Sequence, residues 1–134
     1  MLKYLYFDYP QNALICVYSN HQNIFPKQNA KKYLDTLCQK EGSSFQARKE
    51  YYQKKMNIHK LVPIVINRQE IYFPLSNIKN YDCIWIHYFS IQKVIYKKKE
   101  CIITFFDDTS LVVKNSMRIQ HTMRSIQRFL YTKN

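Results

Sequence analysis

The sequence predicts a single α+β domain: a strongly bent antiparallel sheet with an inserted helix pair and a C-terminal helix. Three observations lead there. The 134 residues suit one hydrophobic core and leave too little for a second. Apolar residues run in short strand-like stretches over residues 2–18 and 61–115, and take up helical spacing over 28–57 and after 115. One glycine and four prolines leave no linker, repeat or low-complexity tract between these segments. A pleckstrin-homology-like barrel, capped by the last helix, is one architecture of this kind.

Taken in order, LKYLYF (2–7) and ALICVY (13–18) are aromatic and aliphatic and flank Asp8–Asn12, so they predict a hairpin. In NAKKYLDTLCQKEG the residues Tyr33, Leu34, Leu37 and Cys38 share one helical face, and Gly42 stands where a helix ends in left-handed backbone. Ser43 with Gln46 three residues on has capping-box spacing and predicts a second helix. In it Phe45, Tyr52 and Met56 share one face, and Arg48, Tyr51 and Lys55 another. LVPIVI and EIYFPL, separated by Asn67–Gln69, predict a second hairpin, followed by strands in CIWIHYF, IQKVIYKK, ECIITFF and SLVVKN. Asp107-Asp108-Thr109 is a tight polar turn between the last two. Ile119, Met123, Ile126 and Leu130 form the buried stripe of the terminal helix, with Arg118, His121, Arg124, Arg128 and Lys133 mostly off it.

Charge narrows the function. Lys and Arg total 21 against 9 acids, a formal charge of +12. The wealth of Lys, Ile, Asn, Tyr and Phe suggests an AT-rich genome, but such a bias favours Glu as well. The chain holds 16 Lys and only 4 Glu, so the excess is one-sided. A field of this sign attracts nucleic acid, an anionic membrane surface or an acidic protein, and nucleic acid leads. The N-terminus is broken by Asp8 and Pro10 before an apolar signal core forms, and runs such as Leu61–Ile66 fall far short of the ~20 residues of a membrane span. Cys16, Cys38, Cys83 and Cys101 are widely spaced, so free thiols in a reducing cytoplasm are expected. The four histidines show no zinc-ligand spacing to them, and neither metal nor cofactor is expected.

The cations cluster. Residues 27–60 hold nine Lys or Arg, among them Lys49, Lys54, Lys55 and Lys60, against three acids. Residues 113–134 hold five, including Arg118, Arg124 and Arg128, and no acid. Lys97–Lys99 reads as a solvated strand end. Clusters of this kind supply phosphate affinity and salt sensitivity, and the planar fork of Arg suits phosphate oxygens and narrow grooves. Tyr51 beside Arg48 and Lys55 either packs on its neighbours or bonds to sugar and phosphate. Trp85, in an apolar strand, reads as core. Enzyme readings are thin. Asp107 and Asp108 as metal carboxylates of a nuclease are the one option, and a turn role explains them better. His87 has no evident carboxylate partner, and one glycine builds no phosphate-cradling loop.

These residues resemble the ComK family, the competence transcription factors of low-GC Gram-positive bacteria. The resemblance is carried by Gly42-Ser43-Ser44-Phe45 with Arg48-Lys49, by His59-Lys60 with Pro63-Ile64, and by Ile71-Tyr72-Phe73-Pro74-Leu75-Ser76. Cys83 with Trp85-Ile86 and Phe106-Asp107-Asp108-Thr109 ahead of Leu111 complete it, in family order across residues 38–131. It departs at Ala47, where longer members tend to have Gly, matches poorly over the first 37 residues, and lacks the C-terminal extension of longer members. The resemblance implies an activator of competence genes. Such a protein binds paired A·T-rich boxes largely from the minor groove, assembles as a dimer or higher oligomer, and is delivered to a Clp protease by an adaptor. It implies no catalytic residue.

Both lines of reasoning meet at residues 42–55. Ser43 or Ser44 caps the second helix, and Arg48, Lys49 and Lys55 are the expected primary DNA contacts, with Arg124 and Arg128 as secondary phosphate contacts. Ser43, Ser44, Tyr51, Lys54, Lys60 and Arg118 complete the expected site, and the two basic helices are expected to face the same side. The competing reading is a non-enzymatic module with a barrel-like fold that binds an acidic protein or an anionic membrane with the same charge.

Overall fold

The computed structural model describes residues 1–132; Lys133, which the sequence pattern places in the basic C-terminal cluster, lies outside them. The chain is α+β, with every strand pairing antiparallel. Strands β1 (Leu2–Asp8), β2 (Ala13–Tyr18) and β3 (Gln22–Pro26) lead into helices α1 (Ala30–Lys40) and α2 (Phe45–Met56). Strands β4 (Ile64–Asn67), β5 (Glu70–Pro74) and β6 (Ile84–His87) follow. A 3-10 turn at Tyr88–Ser90 then opens β7 (Ile91–Tyr96), β8 (Glu100–Phe105), β9 (Ser110–Lys114) and helix α3 (Ser116–Tyr131).

The strands form two sheets. One has six strands in the order β3-β2-β1-β6-β5-β4, the other three in the order β7-β8-β9. Two hydrophobic layers follow from strand alternation. Leu5, Leu14, Cys16, Ile64, Tyr72 and Trp85 point from one face of the large sheet onto Leu34, Cys38 and Phe45 of the helix pair. Ile71, Phe73 and Ile86 point from the other face onto Cys101, Ile103 and Phe105 of the small sheet and Ile119 and Ile126 of α3. A third cluster of Tyr52, Ile58 and Val62, with Phe129 against it, carries packing around the sheet edge from α2 to α3. Ile119 and Ile126 are fully buried and Met123 and Leu130 half-buried, so the terminal stripe is the expected one.

The barrel architecture does not form. The two sheets stay separate ladders, and β4 remains an edge strand. A side chain caps part of it: Arg48 on α2 donates to Val65 O at 2.7 Å and to Ile66 O at 3.0 Å. An edge covered in this way needs no closing strand.

The corner between α1 and α2 is specified in full by local chemistry. Gly42 has φ +100°, where a side chain is strained. Its N–H donates to Gln39 O at 3.1 Å, and the N–H of Ser43 donates to Cys38 O at 3.3 Å. This pair of bonds is the Schellman closure that a C-terminal glycine permits. Ser44, not Ser43, is the N-cap of α2, its Oγ accepting from Ala47 N at 3.0 Å. Of the two serines the second is thus the cap, because the backbone of Ser43 closes α1. Gln46 reaches forward to Glu50 rather than back.

Candidate nucleic-acid interface

The cations expected to act together divide among separate places. A helix turns 3.6 residues per turn, so adjacent Arg48 and Lys49 diverge by about 100°. Arg48 faces the sheet edge. Besides its two bonds to β4 it donates to Glu41 O at 2.9 Å, so its guanidinium ties the end of α1, α2 and β4 together. Its Nε is buried without a partner. Lys49 lies four residues after buried Phe45 and three before buried Tyr52, on the inward side of α2, and is half-buried. An amphipathic stem lets the ammonium leave the core at its rim.

That rim is a cleft of about 180 Å³ between α2, the segment after it and the start of α3. Lys49, His59, Lys60 and Arg118 line it from three parts of the chain, and none of its lining residues is acidic. The one salt bridge among the described residues is elsewhere, between Lys3 and Asp107. The helix end beside the cleft adds to the same sign. Asn115, the N-cap of α3, has left-handed backbone (φ 65°) and makes no side-chain capping bond, and the first turn holds no acid. It carries Arg118 instead, against the preference of a helix N-terminus for negative charge. Cations brought together without a counter-ion repel one another, and a bound anion relieves that cost.

A second, wider cleft of about 710 Å³ lies next to the first, and Ile78 and Trp85 line both. Lys31 and Lys32 from the start of α1 and Lys79 from the β5–β6 turn supply its cations. Its acid, Asp35, is engaged: Oδ1 accepts from Phe45 N at 2.8 Å, at the positive end of α2. Lys79 was absent from the expected site because it stands alone in the sequence between Asn77 and Asn80.

The remaining expected residues lie apart. Tyr51 is exposed, and Lys55 stands 5.6 Å above its ring and 5.5 Å from that of Phe129. Lys55 Nζ also donates to Tyr51 Oη at 3.3 Å. With Ser43 and Arg48 these aromatics border a hollow of mainly apolar lining. Lys54 is exposed beside them. Tyr52 joins the helices underneath, its hydroxyl 2.7 Å from Ser125 Oγ, and burial pushes its pKa up to about 12. Arg124 lines a hollow on the β7 side with Tyr88 and Tyr96, and exposed Arg128 follows one turn later. The two helices are thus packed together, while only Lys49 and Arg118 of their cations meet in one cleft.

Groups that suggested chemistry have structural employment. Asp107 Oδ1 accepts from Thr109 N at 3.1 Å, and Oδ2 accepts from Lys3 Nζ at 2.8 Å. Those bonds hold its carboxyl well below the usual range. Asp108 occupies the left-handed corner of the turn at φ 69°. Among the described residues no cluster of His, Cys, Asp and Glu is arranged to hold a metal ion. The cysteines are unpaired and buried, and burial pushes the Cys16 and Cys101 thiols up to about 11. Among the described residues no helix is long and apolar enough to cross a membrane.

No curated protein and no solved structure matches the chain. A family profile described as "ComK protein" matches residues 5–132, which takes in both clefts and all three helices. The match also reaches through β1–β3, where the motifs quoted above are silent. The chain therefore belongs to the ComK family of competence transcription factors.

Proposed function

We propose that the protein is a DNA-binding activator of competence and DNA-uptake genes that reads A·T-rich boxes mainly through the minor groove, as a dimer or higher oligomer. The observation that carries this reading is the convergence of Lys49, Lys60 and Arg118 in one acid-free cleft. Narrow A·T minor grooves concentrate negative potential, and the groove's donor–acceptor pattern is degenerate, so width and box spacing do most of the selecting. A two-fold pair of such clefts matches repeated boxes. Family membership supports the regulatory role, and delivery to a Clp protease by an adaptor belongs to the same reading.

Within this reading Lys49, Lys60 and Arg118 neutralise phosphates at the centre. Lys54, Lys55, Tyr51, Arg124 and Arg128 supply flanking contacts. Ser43, Ser44 and Arg48 act by holding the α1–α2 corner. The test is competition between A·T-rich and G·C-rich duplexes over a salt series. Each neutralised phosphate adds about 0.9 to the slope of log K against log salt, so three central cations alone give a slope near 3. Preference for the A·T duplex with at least that slope is expected. Equal affinity for the two duplexes, or salt-insensitive binding, overturns the reading.

A further inference from the structure

We propose that Ile78, on the crest of the β5–β6 turn, is a wedge that enters the minor groove and presses into a base step while the cations on either side hold the two strands. The inference rests on the DNA-binding reading above and adds the residue that touches the bases.

The turn is rigid. Asn80 N donates to Asn77 O at 2.9 Å, which places Ile78 and Lys79 at its two corner positions. Asn77 Oδ1 accepts from Lys79 N at 3.0 Å and locks the same corner from inside. At the base Leu75 N donates to Ile84 O at 2.9 Å, and Asn115 Nδ2 donates to Leu75 O at 3.3 Å, tying the turn to the start of α3. A crest built this way has little freedom left to lose on binding.

Isoleucine is not the residue such a corner asks for. Turn corners favour Pro, Asn, Asp, Ser or Gly, each for a backbone reason that Ile lacks. Ile78 is 39% exposed, with Asn77, Lys79 and Asn80 exposed around it. Local backbone chemistry therefore does not explain it, and its surroundings do. Ile78 belongs to the walls of both clefts, with Lys60 and Arg118 in one and Lys32 and Lys79 in the other. An apolar crest between two cationic hollows complements a groove about 6 Å wide with a phosphate chain along each rim. Apolar side chains entering such a groove unstack a base step. The turn exposes two large side chains, Ile78 and Tyr81, too little apolar surface to anchor a domain in a bilayer, so DNA fits the crest better than an anionic membrane does.

The test uses the full chain and an A·T-rich duplex carrying 2-aminopurine in place of adenine at successive steps. Binding of the wild type is expected to raise 2-aminopurine fluorescence at one step per box. Ile78→Asn, which suits the turn, is expected to lose that rise and about tenfold in affinity, which is about 1.4 kcal/mol. Its salt slope stays unchanged, and Ile78→Met keeps the fluorescence rise. Lys60→Ala does the opposite: it keeps the fluorescence rise at saturation and lowers the slope by about 1. If the wild type binds the duplex with no fluorescence rise at any step, or Ile78→Asn binds as well as wild type, the wedge is wrong and the DNA-binding reading stands. If the wild type ignores the duplex and binds phosphatidylserine vesicles, both fall.

Discussion

Lys3 and Asp107, 104 residues apart in sequence, stand 2.8 Å apart in space. Lys3 Nζ also donates to Thr109 Oγ1 at 3.1 Å and lies 5.4 Å from the centre of the Phe105 ring. This contact joins β1, in the middle of the large sheet, to the β8–β9 turn of the small one. It is the polar counterpart of the apolar layer between the sheets.

Asp107→Asn is expected to lower the melting temperature at neutral pH. The bonds to Lys3 and Thr109 depress the folded carboxyl, while the unfolded one titrates near 3.8. The stability this contributes is therefore present above that value and is lost as pH falls through the folded value. Melts of wild type and variant from pH 7 down to pH 2 check it, with the gap narrowing in acid. A gap of constant size would assign the loss to turn geometry alone.

Arg48→Ala is expected to destabilise the fold by about 3 kcal/mol, because three carbonyls lose a charged donor. Arg48→Lys recovers only part of this, since one ammonium does not reproduce a planar fork. Urea denaturation measures both. A variant of wild-type stability that has lost only DNA affinity would return Arg48 to the contact surface.

His87 is buried, with Nδ1 3.1 Å from Leu2 O and Nε2 without a partner. Its ring stacks on Tyr72 at 4.9 Å. Burial lowers its pKa from 6.5, so the fold holds the imidazole neutral. The unfolded chain binds the proton more readily, and stability is lost as pH drops from about 6.5 through the folded value. His87→Phe is expected to flatten the dependence of unfolding free energy on pH between 7 and 5. Denaturation at the two ends of that range shows whether it does.

Arg118 and Arg124 share a helix but not a cleft. Arg118→Ala is expected to lower the salt slope of DNA binding by about 1, and Arg124→Ala by clearly less. Equal slopes for the two variants would place the duplex along the whole of α3 rather than at its first turn.

The chain's pattern made most elements legible, because strand alternation and helical spacing report burial directly. The β3 strand was not legible. Gln22–Pro26 is an edge strand with Ile24 and Phe25 exposed, so no buried face imposes a pattern on it. The separation into two sheets was equally hidden, since strand alternation reports which face is buried and not which strands pair. The basic site was legible in composition and not in geometry. Counting cations finds Arg48, Lys49, Arg118 and Arg124 alike. Helix phase and packing decide that two of them line one cleft while Arg48 becomes a brace and Arg124 faces β7. Polar Thr122 and Ser125 are buried on α3 outside the apolar stripe; each donates its hydroxyl to a carbonyl, Leu61 O and Thr122 O respectively.

Strand order has a consequence for the nascent chain. β1 pairs on one side with β2, a neighbour in sequence, and on the other with β6, through Tyr4–Ile86, Leu5–Trp85 and Tyr6–Ile84. On a ribosome the first strand therefore waits, half-zipped, until some eighty further residues have emerged, and its hydrogen-bonding flank is open to chaperones and peptidases meanwhile. Completion of the large sheet therefore waits on the synthesis of β6, however early β1 and β2 have paired.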